Sequence, residues 1–494
     1  MTNRTIKLFP VCITICATII AGTGCRIAKP DPLPVLKQMP ENFSDTSTAG
    51  MDKDLPAASD SSGSNLIFRE LFPDQYLGSL IDSALKNNTD LNIALQRIIT
   101  AEARLTNSKK AFLPSVDIGV KASADKYGDY TLNGVGNFDT NLSPNIKEDQ
   151  KIPRYPTTDL LAGFQSSWEI DLWGKLKAQR NAASAELQAY REAQQMIVTN
   201  LVAAIAKDYY NLLRLDAELK IIKKNIALQE EAVEIVKVQK LGGRATELAV
   251  QQFRAQLLNT KALEYAILQE RLQTEASLNT LAGNYYREIP RDTALPASIP
   301  VMKQFLPATL LWRRPDIREA EALMRGAREN VQAARASFLP SLTLNPYIGL
   351  NAFTPSLLFR SGSIAYGITG GITAPLLNRR HLNMQYTIAN AASKEAVYNY
   401  QQKLLNAYNE VTTHMKATYN YQQAFGLKQQ EVEELHAAAS TAKELYLTGY
   451  ANYLEVIMAQ KNTLEAELQL AREQGNMLMA VIQLYRSLGG DRQL

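Results

Sequence analysis

The chain is poor in the residues that build chemical sites. Its 494 residues contain three cysteines and three histidines. The cysteines Cys12, Cys16 and Cys25 all lie within the first 25 residues, so the remainder can form no internal disulfide and no multi-cysteine metal site. No G-x-S-x-G elbow, Walker loop, H-E-x-x-H pair or dinucleotide glycine pattern is present. We therefore expect no enzyme activity, no bound metal and no cofactor.

An excess of charge of one sign is also lacking. The 53 basic and 49 acidic residues leave a formal charge of +4. No run of Lys and Arg is dense enough to indicate a surface for polynucleotides or anionic lipids. We therefore expect no nucleic-acid partner.

Long apolar runs are confined to the first residues. Arg4 and Lys7 precede an apolar stretch at 8–21, and small residues then lead to Cys25. This arrangement is typical of a secretory leader, and it resembles a bacterial lipoprotein signal with Cys25 as the acylated residue, although Gly22 stands where such signals prefer Leu. The alternative is an ordinary signal peptide that leaves Cys25 unmodified. After residue 66 no apolar run approaches the ~18 residues of a membrane-spanning helix, so a mature chain that crosses a membrane must do so as a β-barrel.

The remainder of the sequence shows one series of patterns twice. After a Pro- and Ser-rich tether, a helical pattern at 66–111 leads to two alternating strands, which begin at Val116 and Phe164 and are separated by a Gly- and Asn-rich loop. Residues 175–240 contain neither Gly nor Pro and carry an apolar stripe at the spacing of a coiled coil. Gly242 and Gly243 then reverse the chain into a helix at 244–281, whose slimmer apolar stripe includes Ala255, Leu258, Ala262 and Tyr265.

The second copy of the series begins near residue 311. The segment 336–341 reads A-S-F-L-P-S, against K-A-F-L-P-S at 110–115, and a second strand pair occupies 342–350 and 364–372. A long helix from 381 then turns at Gly449 into a helix that ends near 488. We expect a signal peptide at 1–24, a tether at 25–65, and two repeats at 66–300 and 301–494. Four strands cannot close a membrane barrel, since the smallest use about eight, so several copies must contribute to one sheet.

The ordered motifs identify a family. They are L-F-P-D at 71–74, A-L-K-N-N-T-D-L at 84–91, S-W-E-I-D-L-W-G at 167–174, R-P-D-I-R-E-A-E at 314–321, A-R-A-S-F-L-P at 334–340, and the stretch from Gly449 to Gln460. In this order the chain resembles the outer-membrane efflux channels of the TolC and OprM type, in the lipoprotein branch. The match runs from about residue 66 to 490.

The resemblance implies a mainly α fold with a small β part. Three copies would form a twelve-stranded barrel in the outer membrane of a Gram-negative bacterium, and their long helices would form a tunnel across the periplasm. A periplasmic membrane-fusion adaptor and an inner-membrane efflux pump would be the partners, with the outer-membrane lipid around the barrel.

The resemblance also implies roles for the two turns. Gly242, Gly243, Thr448 and Gly449 correspond to the tips where the adaptor docks. Leu454, Met458 and Tyr446 correspond to the periplasmic gate. OprM-type channels carry an acidic residue in place of Met458 and a basic one in place of Leu445, so we expect this tip to close by apolar contact instead of ion pairs.

Other candidate residues have more ordinary interpretations. Trp168 alternates with the apolar strand face and indicates a membrane-interface aromatic, whereas Trp173 indicates packing. No acidic or cysteine partner lies at ligand spacing from His414 or His436, which favours solvated or tunnel-lining histidines over a metal site.

Three functions fit these patterns. The first is a passive exit duct for small molecules such as drugs in a tripartite efflux pump. The second is the outer-membrane channel of a type I protein secretion system. The third is a lipid-anchored coiled-coil scaffold without a pore, which has no use for four strands with an apolar face.

Overall fold

The computed structural model describes residues 32–37, 40, 43, 68–153, 155–292, 295–296, 308–375 and 379–491. The expected leader and Cys25 lie outside the described residues, as does most of the tether. Among the described helices, none has both the length and the apolar character needed to cross a membrane.

The described chain is mainly helical with one small sheet. In chain order its helices and strands are α1 (Phe68–Leu71), α2 (Gln75–Asn87), α3 (Thr89–Lys110), β1 (Ser115–Asp125), α4 (Leu132–Asn141), β2 (Thr157–Ile170), α5 (Lys175–Leu241), α6 (Glu247–Leu281), α7 (Pro315–Ala336), β3 (Ser341–Ala352), α8 (Pro355–Leu358), β4 (Ile364–Thr373), α9 (Arg379–Thr448) and α10 (Tyr453–Ser487). Short 3₁₀ turns occupy Glu148–Gln150, Ala308–Arg313 and Ser361–Ser363. The expected order of helix, strand pair, long helix, turn and helix is confirmed in both halves.

The repeat extends to local geometry. Helices α3 and α7 both have 22 residues, and each ends in the same turn before a strand. The N–H of Leu113 donates to the carbonyl of Lys110 at 2.9 Å, and the N–H of Leu339 donates to that of Ala336 at 3.0 Å. The shared F-L-P sequence therefore marks the same helix end twice.

Two compact units make up the described chain. One contains Ala101–Leu187 and Leu323–Val397, and thus the whole sheet. Its helices pack through small side chains, with Ala178, Ala182 and Ala333 buried. The strands pair in the antiparallel order β1-β2-β3-β4, and among the described residues β1 pairs only with β2 and β4 only with β3.

The other unit contains Gln188–Ala322, Tyr398–Leu494 and Val35–Thr100, which form a bundle of long helices. Its largest core joins α1, α2, α5, α6 and α10 through side chains such as Phe68, Tyr209 and Tyr485. The apolar stripe expected on α5 is buried as far as the turn, with Leu215, Ile222 and Val236 at 0–1% exposure.

Three segments differ from the sequence expectations. Strand β2 begins at Thr157 and not at Phe164, because Leu160 and Leu161 interrupt the alternation that marks the rest of the strand. The connection between β1 and β2 contains the helix α4, whose N-terminal residue Thr131 accepts a hydrogen bond from the N–H of Gly134. Glycine and asparagine are poor helix formers, so the pattern there indicated only a loop. The stripe expected on α6 also differs, because Leu258 and Tyr265 are 66% and 73% exposed in the single chain.

Candidate functional site

The two long turns have the same backbone geometry. Gly243 and Gly449 adopt positive φ angles of 73° and 86°. In each turn the N–H of the next residue donates, at 2.8 Å, to a carbonyl five residues earlier: Arg244 to Gln239, and Tyr450 to Leu445. This is the Schellman ending, which needs a residue without a Cβ at the left-handed position. The repeated glycine in the sequence is therefore explained by the backbone.

The helices that leave the turns are also capped alike. Thr246 accepts a hydrogen bond from the N–H of Ala249 at 3.2 Å, and Asn452 accepts from the N–H groups of Leu454 and Glu455 at 2.9 and 3.2 Å. Each cap lies three residues after its glycine, so the next helix begins at the same distance from the glycine in both turns.

Apolar side chains join the two hairpins just below the turns. We call α5–α6 the first hairpin and α9–α10 the second. Val236, Ala249 and Phe253 of the first hairpin and Val456 of the second are all at most 4% exposed and share one cluster. The two turns are therefore packed side by side within one chain.

Several polar contacts link the hairpins, and three of them involve Tyr446, Lys443 and Glu467. The hydroxyl of Tyr446 donates to the amide oxygen of Gln239. Lys443 lies 3.3 Å from the carboxylate of Glu231. The third link is made by Glu467, a largely buried carboxylate that accepts from the side-chain amide of Asn225 at 2.9 Å.

The expected gate residues occupy two different environments. Leu454 and Met458 are 46% and 58% exposed and lie one turn apart on α10, so they form an apolar stripe on the free surface of the single chain. Tyr446 instead is half-buried against the first hairpin, and burial raises the pKa of its hydroxyl. The structure thus separates an exposed stripe from a tyrosine that holds the hairpins together.

The sheet has one apolar face. The register aligns Ile118, Phe164, Ile348 and Tyr366 in a single row across all four strands. Each of these side chains is more than half exposed in the single chain. The apolar face is therefore not the core of a sandwich within the described residues, and its chemistry suits a lipid environment.

Trp168 lies at the strand end nearest the helices. It is half-buried, and its indole N–H donates to the carbonyl of Phe112 at 2.9 Å. The neighbouring Trp173 donates to the carbonyl of Pro340 at 2.6 Å. Both indoles bind the backbone of the F-L-P turns, so they fix the transition from helix to strand; a membrane-interface role for Trp168 stays a prediction.

One of the histidines has a partner that sequence spacing did not reveal. His436 on α9 lies 3.1 Å from Glu467 on α10, 31 positions along the chain. His414 is partly buried, and burial lowers its pKa. The negative charge of Glu410 opposes this lowering, and the positive charges of Arg486 and Arg314 add to it. No group of three or more His, Cys, Asp or Glu side chains that could hold a metal was found among the described residues.

The R-P-D motif forms a buried ion network. The guanidinium of Arg314 binds both carboxylate oxygens of Asp316, at 3.0 and 2.9 Å, and a carboxylate oxygen of Glu410 at 2.9 Å. It also donates to the carbonyl of Ser487, the last residue of α10. Burial alone would raise the pKa of Asp316, but the hydrogen bonds and charge of Arg314 outweigh it and the pKa is lowered. The motif thus anchors α7, α9 and the end of α10, a role that its sequence alone did not indicate.

A family model supports this architecture as a known one. The model described as "Outer membrane efflux protein" matches residues 80–284 and 306–490. The two matched ranges correspond to the two halves of the internal repeat.

Curated relatives match along most of their length. The pyoverdine export outer membrane protein OpmQ of Pseudomonas putida is 32% identical over 424 residues, which cover 85% of this chain and 87% of that protein. The cation efflux system protein CusC of Escherichia coli K12 is 29% identical over 490 residues, covering 98% and 99%.

Solved structures of outer-membrane channels share the fold of this chain. A crystal structure of CusC superposes with a TM-score of 0.79 at 25% identity and covers 93% of this chain and 99% of that one. The CmeC outer membrane channel of Campylobacter jejuni, at 21% identity, also has a TM-score of 0.79, covering 93% and 94%, and shows the shared fold.

Proposed function

The chain belongs to the outer membrane efflux protein family, and on that premise we propose that three copies form the passive exit duct of a tripartite efflux pump. Membership makes it an outer-membrane efflux channel of a Gram-negative bacterium, in a family of transport ducts and not of enzymes. The homotrimer, the adaptor and the pump belong to the proposal.

The observation that carries the trimer is a second, exposed stripe on α6. The buried stripe of this helix repeats every seven residues through Phe253, Thr260 and Ile267. A second heptad stripe at Leu258, Tyr265 and Leu272 is 44–73% exposed. A helix that stays in a bundle needs one seam, and a second apolar seam indicates a second helix partner.

Helix α9 shows a matching stripe. Tyr398, Leu405 and Tyr419 are spaced by seven and fourteen residues and are 41–59% exposed. Because the two exposed stripes lie on different helices, they favour a head-to-tail contact, α6 of one copy against α9 of the next. Such contacts generate a closed ring when the rotation between copies closes.

The sheet supports the same arrangement. Strands β1 and β4 each have one partner among the described residues, so their outer edges are available to neighbouring copies. Pairing β4 of one copy with β1 of the next would join three four-stranded sheets into twelve strands with the apolar row on one face. The lipid-facing side of that barrel would be the row of Ile118, Phe164, Ile348 and Tyr366.

The names of the relatives support the proposed adaptor and pump as partners. CusC is named as part of a cation efflux system, and further relatives are named as outer membrane proteins of solvent and toluene efflux pumps. We propose that the turns at Gly242–Gly243 and Thr448–Gly449 dock a periplasmic adaptor, which connects the duct to an inner-membrane pump. The pump would supply the energy, and docking would shift a closed tip towards an open one.

The rival functions differ in what they require. A coiled-coil scaffold has no use for an exposed apolar sheet face, and the sheet favours a channel over it. A type I secretion channel would use the same duct, and the named relatives export small molecules or cations. We therefore prefer efflux of small solutes.

The trimer is tested by placing charge on the exposed α6 stripe. The double variant Leu258→Glu and Tyr265→Glu should reduce the mass measured by light scattering in mild detergent from trimer to monomer, because buried carboxylates without partners are costly at a coiled-coil seam. The control, Asn259→Glu with Gln273→Glu, adds the same charge beside the stripe and should remain trimeric. A wild-type monomer, or a trimer that survives the stripe variant, would contradict the proposal.

The apolar gate is tested by conductance. Leu454→Ser with Met458→Ser should raise single-channel conductance in planar bilayers, because the stripe loses the apolar contact that we propose closes the tip. Leu248→Ser, which changes an exposed leucine of the first hairpin, should leave conductance close to wild type. Unchanged conductance in the double variant would place the constriction elsewhere.

A further inference from the structure

The two hairpins line a partly open cavity of about 220 Å³ beneath their turns. Its walls come from all four helices, with Leu228 and Ile235 on α5, Phe253 on α6, Ala439 on α9 and Val456 on α10. The hairpin contacts described above surround this space but do not fill it.

The sequence explains why space remains there. Helix α9 carries A-A-A-S at 437–440, and Ala439 and Ser440 line the cavity. Ala232 of α5 also lines the cavity. Small side chains on both sides leave a void that close packing would normally eliminate.

The charges around the cavity are already paired. His436 lies 3.1 Å from Glu467, and Lys443 lies 3.3 Å from Glu231. Both basic side chains that line the space therefore have a carboxylate partner, and the cavity offers no uncompensated charge to an ion. Its remaining polar lining includes the Ser440 hydroxyl and the Gln460 amide.

We propose that this cavity is a binding site for one uncharged, single-ring aromatic molecule that carries at most a hydroxyl group. An apolar cavity of about 150 Å³ is large enough for benzene, so 220 Å³ accommodates a substituted ring. The ring would contact Phe253, Ile235 and Val456, and the hydroxyl would bond to Ser440 or Gln460. Because the walls belong to both hairpins, the bound molecule stabilises their contact.

The test uses 4-fluorobenzyl alcohol as the probe and the full-length assembled protein in detergent. The ¹⁹F signal of the probe should broaden and shift with wild-type protein in a saturable manner, beyond the change seen with detergent alone. Ala439→Phe should fill the cavity and weaken binding roughly tenfold or more, equal to about 1.4 kcal/mol. Ser440→Leu provides a second filled variant if the first fails to assemble.

A matched control lies on the same helix. Ala437 is exposed and does not line the cavity, so Ala437→Phe adds the same ring elsewhere and should bind as wild type. Equal signals from wild type, both filled variants and the control would overturn the site, since the probe would then be reporting only detergent or surface association. Binding is measured without pump or adaptor, so this outcome is independent of the proposed transport function.

Discussion

At the residue scale, Tyr446 connects the family resemblance to a contact that can be measured. The resemblance assigns this tyrosine to the gate, and the structure gives it a hydrogen bond to Gln239 across the two hairpins. A residue that closes a tip does not need to face the pore, because it can act by holding one hairpin against the other.

Tyr446→Phe should weaken that contact by about 1 kcal/mol, the usual value of one hydrogen bond, and lower the thermal midpoint. Under the proposed gating it should also raise conductance. Tyr450→Phe is the control, because Tyr450 is 85% exposed four residues further on. Equal behaviour of the two variants would show that the bond to Gln239 does not hold the tip.

A second prediction at this scale concerns pH. The pKa of His414 is lowered from its ordinary 6.5, chiefly by burial, so the unfolded chain binds a proton that the folded chain resists. Stability should therefore fall as the pH drops below about 6.5, because the unfolded state then binds more protons. His414→Gln should make the unfolding free energy less dependent on pH in that range.

The control for this effect is His381→Gln, which removes an exposed histidine from the same helix. Urea unfolding at a series of pH values from 7 downwards measures both variants against wild type. A slope that His414→Gln leaves unchanged would contradict the assignment.

Side-chain contacts were predicted least well where the two partners lie far apart in the sequence. The helical spacing of Leu454 and Met458 placed them on one face, and the structure shows that face exposed. Spacing gave no sign that His436 meets Glu467, or that Arg314 binds Glu410 and the end of α10. Those contacts depend on which helices pack together, and a single sequence does not contain that information locally.

At the element scale, the two turns are the clearest case of sequence determining structure. The G-G-R and T-G-Y motifs each place glycine where φ is positive, and the following cap starts the next helix three residues later. Local backbone chemistry decides these turns, so they could be located without knowing the fold.

Gly243→Ala should destabilise the first turn by roughly 1–2 kcal/mol, because at φ 73° a Cβ would crowd the carbonyl oxygen of its own residue, although no heavy atom beyond the two chain neighbours lies within 4 Å of it. The preceding Gly242→Ala is the control, since Gly242 has no positive φ and a Cβ there meets nothing closer than 3.6 Å. Differential scanning calorimetry of the two variants should separate them. Similar midpoints would mean that the turn relaxes to a different conformation.

Most other helices and strands were predicted to within a few residues, but β2 begins at Thr157 and not at the predicted Phe164. Residues 175–240 of α5 contain no Gly or Pro, and apolar side chains alternate along β1 and β4. Both features indicate these elements strongly in the sequence. Helix α4 was missed because its sequence L-N-G-V-G-N has low helix propensity, and its surroundings hold it: the Asn141 amide binds the backbone of Ile152 in both directions, at 2.9 and 2.8 Å. Tertiary contacts outweighed propensity there.

At the scale of the whole molecule, the internal repeat and the motif order were enough to identify the family, and the match over residues 80–284 and 306–490 confirms it. The exposed stripe on α6 could not be foreseen from its pattern. The sequence pattern of an apolar stripe is the same whether the helix that packs against it belongs to the same chain or to another copy.

The lipid anchor is a prediction at this scale. Mass spectrometry of the N-terminal peptide from purified protein should show acylation at Cys25, and Cys25→Ala should abolish it. An anchor on every copy would tether the assembly to the membrane in addition to the barrel. An unmodified wild-type peptide would refute the anchor and support the ordinary signal peptide.

Strands β1 and β4 each have an outer edge without a partner strand in the part of the chain that the structure describes, and these edges bear on how the protein is made. A lone chain would present two strand edges and a row of exposed apolar side chains to water, which is the arrangement that aggregates most readily. A chain that stays monomeric should therefore aggregate soon, and the yield of assembled channel should depend on how quickly newly exported chains meet one another. Slower export would leave chains unassembled for longer, so biogenesis of this protein should call for a chaperone that shields the sheet until other copies pair with it.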